Sequence, residues 1–156
     1  MKNKNQLLKI VFSSLAFVLF SLQIKAQTHA YLEQYKPLAQ RLSTQYEIPA
    51  CLILAIAFVE SGGGSSQHLN RLNNHFGITG KNNTHSKYKQ FSCVEKSYTE
   101  FCELISSKSY YNLLKKEKDL SKWINAIAPT YSSHPSTWKK KIYLVIEKYK
   151  LADLPS

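Results

Sequence analysis

The chain has 156 residues and a formal net charge of +11, from 21 basic and 10 acidic side chains. Three cysteines permit at most one internal bridge, and His29, His68, His75, His85 and His134 are scattered without metal-ligand spacing, so no cofactor or metal is expected. The positive balance suits an anionic partner, whether wall polymer, lipid head groups or nucleic acid, and equally a soluble cationic surface with no specific partner.

The first residues read as a secretory signal peptide. Lys2, Lys4 and Lys9 precede an apolar stretch from Ile10 to Leu22, and "IKA" offers a cut after Ala26. The apolar core is short for a membrane span, although an uncleaved anchor is the alternative. No cysteine stands at the cut, which argues against a lipoprotein. Cleavage removes 26 residues and four lysines, leaving residues 27–156 as one domain with a charge of +7 and room for a core. The expected location is the periplasm or the extracellular space, without stable membrane insertion after cleavage.

Within 30–45, Tyr31, Tyr35, Leu38 and Leu42 fall at helical spacing, with Pro37 as a break or restart. "EIPACLILAIAFVES" then predicts a helix with Pro49 at its first position. Being apolar nearly all round, this helix belongs at the centre of the domain. Gly62 to Gly64 end it. A short helix is expected over Ser66 to Leu72, and residues 76–91 read as a small irregular hairpin lobe. The Ser92–Glu95 spacing suggests a capping box that opens a helix, with Val94, Tyr98, Phe101, Cys102 and Ile105 on its inner face. Further helices are expected near 109–117 and 120–127, and a last one from Pro135 to Tyr149 with Trp138, Ile142, Ile146 and Tyr149 inward. The fold class is α+β, predominantly α-helical, with a short irregular β or loop lobe. Cys51 reads as a small buried hydrophobe; the spacing of Cys93 and Cys102 around a helix start argues against a bridge.

Most acids lie on polar helix faces, beside lysines or at caps. Glu60 is different, because it follows eight apolar residues, Leu52 to Val59. An unpaired buried carboxylate costs several kcal/mol, so such a glutamate either reaches solvent or a lysine, or sits where burial raises its pKa from about 4.3 toward 6. The second case would make it an acid catalyst. In "RLNNHFGITG", Asn74, His75 and Phe76 can offer amide and aromatic contacts to a sugar, or can simply pack an Asn-rich turn. Tyr131 is placed on the loop "APTYSSHPSTW" between two helices, and matters if it faces the same cleft as Glu60.

The stretch "YEIPACLILAIAFVESGGGSSQHLNRLNNHFGITG" resembles the signature of bacterial peptidoglycan glucosaminidases, glycoside hydrolase family 73. "YKQFSCVEKSYTEFCELI" and "WINAIAPTYSSHPSTWKKKIYLVIEKYKL" are similar to later segments of that family in the same order, so the resemblance spans residues 30–152. It implies a lysozyme-like fold whose cleft takes the glycan strand of peptidoglycan. Glu60 matches the general acid and Tyr131 the active-site tyrosine. Asn74, Phe76 and Gly77 match the motif lining the cleft floor, with His75 among them as a substrate-binding candidate.

The pattern also departs from the family. Residues 61–94 hold no Asp or Glu, although glycoside hydrolysis normally uses two carboxyls and relatives often supply the second from the lobe. Gly63 replaces a tryptophan, Gln67 stands where glutamate is usual, and His134 replaces an aspartate. The leading expectation is a monomeric exported glycosidase that cuts the β-1,4 bond between N-acetylglucosamine and N-acetylmuramic acid. With no second acid in the lobe, hydrolysis assisted by the substrate's own N-acetyl carbonyl is one route; the alternatives are a non-catalytic peptidoglycan-binding or assembly module and a one-acid lytic transglycosylase. Nucleic-acid binding is not expected, because the lysines are spread over helices rather than gathered into one stripe.

Overall fold

A computed structural model describes residues 29–154 apart from Thr84 and Lys118. The signal-peptide expectation lies outside these residues. The described helices are α1 (29–46), α2 (Ala50–Glu60), α3 (Gln67–Arg71), α4 (Val94–Ser106), α5 (Tyr111–Leu114), α6 (Leu120–Tyr131) and α7 (Pro135–Lys148), followed by a 3₁₀ turn, Leu151–Asp153. Among the described residues no helix is long and apolar enough to cross a membrane.

Helix α2 is the axis. Every residue from Ala50 to Ala57 is buried, and Leu52, Ile53, Leu54 and Ile56 have no exposed surface. Each such side chain contributes about 1.5–3 kcal/mol of transfer free energy, which is why an all-apolar helix must be surrounded. It packs against α7, α4 and the terminal 3₁₀ turn, and α7 also packs on α6. Trp123, Ile124 and Ile127 of α6 and Ile142 of α7 complete the centre. Pro49 stands one place earlier than expected, as the N-cap, and its carbonyl accepts from Leu52 and Ile53 N–H at 2.9 and 3.1 Å.

The prolines overturn two expectations. Helix α1 runs through Pro37 without a break, and α6 runs through Pro129 to Tyr131, so Tyr131 ends a helix rather than standing on a loop. Both rings lie on exposed faces, as do Glu33 and Asn125 four residues earlier, so the helices lose those two donors on their solvent side. The capping box is also corrected. Cys93, not Ser92, is the N-cap of α4, and Glu95 instead pairs with Arg41 at 2.8 Å. The inner face of α4 is otherwise as expected, with Tyr98, Phe101, Cys102 and Ile105 fully buried. The helix expected near 109–117 shrinks to Tyr111–Leu114. Cys93 is exposed and Cys102 buried, and neither is bridged.

The lobe between α3 and α4 contains a single antiparallel bridge, Thr79 with Tyr88, among the described residues. Gly80 N–H donates to the Lys87 carbonyl and Lys89 N–H to the Ile78 carbonyl. Asn74 secures both limbs: its amide donates to the carbonyls of Ile78 and Lys89, each at 2.8 Å, and its oxygen accepts from Ile78 N–H at 3.0 Å. With so short a ladder, a buried side chain does the work that strand pairing does elsewhere.

Candidate active site

Glu60 is the last residue of α2. The helix stops there because Ser61 is followed by Gly62, Gly63 and Gly64, all at positive φ, and Gly63 N–H closes back on the Phe58 carbonyl at 2.7 Å. A Cβ on Gly64 would sit 2.6 Å from the Tyr31 ring, so this turn requires glycine. The run of apolar residues therefore delivers one carboxyl to the edge of the core and turns away at once.

The carboxyl is half-buried, and its Oε1 accepts from the Trp138 indole N–H at 2.7 Å. Burial raises the Glu60 pKa above its ordinary value; the Trp138 hydrogen bond and the Lys141 ammonium pull the other way without cancelling it. The negative end of α2 opposes ionisation as well. The result is a carboxyl that holds its proton more tightly than a solvated glutamate, oriented by a rigid donor from α7.

Tyr131 closes the other side. Its hydroxyl donates to the Phe76 carbonyl at 2.8 Å, and its ring lies 5.7 Å from Trp138 and 5.9 Å from Phe101. Burial, and next the charge of Glu60, push its phenol well above the ordinary value, so it remains a neutral donor. The expected pair, Glu60 and Tyr131, thus meet around one indole.

The "NNHFG" residues occupy this site unequally. Asn74 has no exposed surface and its amide is committed to the lobe. Phe76 is stacked on Phe101 at 4.2 Å in the core. His75 is buried, with Nδ1 bonded to the Tyr31 hydroxyl at 2.9 Å, and burial lowers its pKa to about 4, so it is a neutral ring at pH 7. The Asn74 and His75 side chains face inward and brace the wall, while Phe76, almost wholly buried, still contributes to the lining of the groove. Gly77 is the member at the surface of the site: at φ +63°, its missing Cβ would lie 3.8 Å from Glu60 Oε2. Beside it opens a groove of about 350 Å³ lined by Phe76, Gly77, Ile78, Thr79, Glu100, Leu104, Thr130 and Tyr131. A larger cavity, about 700 Å³, lies at the opposite end of α2 around Pro49 and Cys51, away from these groups. Chemistry and not volume locates the site.

Trp138 as the partner of Glu60 was not foreseen. A buried indole N–H needs an acceptor, and that requirement was the available signal. Among the described residues no group of three or more His, Cys, Asp or Glu side chains stands together to hold a metal.

A proton-holding carboxyl and a neutral tyrosine thus stand beside a groove between the helical body and the small lobe. Residues 36–151 match the family model of mannosyl-glycoprotein endo-beta-N-acetylglucosaminidase, and the chain belongs to this glucosaminidase family of glycoside hydrolases. The fold is similar to that of the catalytic domain of the autolysin Auto from Listeria monocytogenes, with a TM-score of 0.65 and 17% identity over 83% of this chain and 88% of that one. No curated protein matches the chain.

Proposed function

We propose that the chain is an exported peptidoglycan hydrolase that cleaves the β-1,4 bond between N-acetylglucosamine and N-acetylmuramic acid, with Glu60 as the general acid. The single observation that carries this reading is the Glu60 carboxyl: apolar surroundings raise its pKa, and Trp138 fixes its orientation beside the groove. Family membership supports the reaction class, and the lysine-flanked apolar segment at the N-terminus supports export. Tyr131 holds the Phe76 carbonyl in place and offers a neutral hydroxyl edge to the bound sugar. Phe76 and Gly77 form the floor on which the sugar rests, with Asn74 and His75 bracing it from behind.

The test is cleavage of purified peptidoglycan by the wild type and by Glu60→Gln. The variant keeps an acceptor for the indole but has no proton to give, so fragment release should fall by about 10²–10⁴-fold with an unchanged circular dichroism spectrum. Wild-type-like release would sink the assignment.

The absence of any acid between residues 61 and 94 favours a second reading, in which one acid suffices and the muramyl hydroxyl replaces water. Mass spectrometry of the new ends separates them: reducing N-acetylglucosamine ends support hydrolysis at the proposed bond, and 1,6-anhydromuramyl ends support transglycosylation.

A further inference from the structure

A water-using site of the kind proposed above normally has a second carboxyl opposite the acid. The lobe supplies no carboxyl, but α4 does. Glu100 lines the groove together with Gly77 and Tyr131, and Glu60 Oε2 borders the same Gly77 from the α2 side. Two carboxyls from two helices therefore flank one floor, with about 350 Å³ of open groove beside it. Glu100 is half-buried, and its Oε1 receives the Lys89 ammonium, which leaves Oε2 as an acceptor. Lys89 belongs to the returning limb of the lobe, and its stem lies against Gly80, where a Cβ would meet it at 2.4 Å. The other acids of α4 do not line this groove: Glu95 is paired with Arg41 on the surface, and Glu103 borders only a neighbouring depression, which Glu100 reaches as well.

We propose that Glu100 is the second catalytic carboxyl, acting as the base on water, and that Lys89 is its positioning residue. This rests on Glu60 being the acid. Glu60 gives its proton to the glycosidic oxygen as the bond from that oxygen to the anomeric carbon breaks. Water adds to the anomeric carbon from the opposite face, and Glu100 takes the proton that the water sheds. The sugar leaves with inverted anomeric configuration, Glu60 is left as carboxylate and Glu100 as acid, and exchange with solvent resets both. The lobe thus contributes a cation that aims an acid from the helical body.

The experiment compares the full chain with Glu100→Gln, Glu100→Ala and Lys89→Met on purified peptidoglycan. For Glu100→Gln, kcat falls by about 100-fold or more while KM changes by less than about threefold, and circular dichroism is unchanged. Lys89→Met loses less than about 10-fold. Sodium azide restores turnover to Glu100→Ala and releases a glycosyl azide, which a role in merely fastening the lobe would not produce. Glu100→Gln activity within about threefold of wild type, beside an inactive Glu60→Gln, overturns the assignment of Glu100 and leaves that of Glu60 standing. Equal losses in Glu100→Gln and Lys89→Met without azide rescue, or anhydro ends in the wild-type products, also overturn it. An active Glu60→Gln, or a wild type that releases nothing, removes both.

Discussion

Trp138 and Glu60, 78 residues apart in the chain, meet through one 2.7 Å hydrogen bond from indole N–H to carboxyl oxygen. That donor favours the charged form of an acid whose surroundings favour the neutral one. In Trp138→Phe the favour to the charged form is lost, so the Glu60 pKa rises further and the acid form survives to higher pH. The alkaline limb of the kcat/KM profile should move upward, and stability should fall by about 1–3 kcal/mol as the carboxyl loses its partner. An unmoved limb in a folded variant would mean that Glu60 does not govern it.

Glu60 also ties stability to pH. Its folded pKa is raised, so its ionisation works against folding. The penalty is absent below the ordinary value of 4.5, grows as pH rises toward the folded value and is complete above it. Glu60→Gln should therefore melt higher than wild type at neutral pH and converge with it at acid pH. Thermal unfolding at the two extremes checks this, and a lower Tm for the variant at neutral pH would contradict it.

Asn74→Ala should remove the fastening of the lobe. Three hydrogen bonds disappear and two carbonyls lose a donor, a loss of about 2–4 kcal/mol. Denaturant titration reads the loss, and hydrogen exchange should show it first at the amides of Ile78 and Lys89.

Gly77→Ala places a methyl group beside Glu60 Oε2 and forces a non-glycine residue to φ +63°. Its Cβ contacts, 3.7 Å to Tyr88 and 3.8 Å to Glu60, are ordinary, so the stability loss is the backbone term of about 1–2 kcal/mol. Activity should fall further than that loss explains, because the methyl group occupies the approach to the acid. Chemical denaturation and fragment release on the same preparation separate the two effects.

Leu54→Ala tests the central helix. Leu54 is fully buried, and its truncation should cost about 2–5 kcal/mol by denaturant titration.

The sequence made Glu60 visible because a carboxylic acid at the end of eight apolar residues is a local contradiction. The same run announced α2 as the axis, and the periodicities of α4 and α7 announced their inner faces. What escaped was set by distance or by context. The indole partner lies on another helix, and no spacing connects it to Glu60. Tyr131 reads as a loop residue because the helix is expected to end near 127, whereas α6 continues through Pro129, whose ring is exposed. Asn74 looked like a hand offered to a sugar; an amide with a donor pair and an acceptor serves equally well as a clamp, and only burial distinguishes the two. Glu100 was passed over as one acid among many on a polar face, since nothing local says that this face borders a groove.

The bond between Glu60 and Trp138 joins α2 to α7. A polypeptide cut short before residue 138 carries the carboxyl but not the indole that aims it, and its central helix is left open on the side that α7 covers. The contact that orients this carboxyl is thus among the last that a growing chain can make.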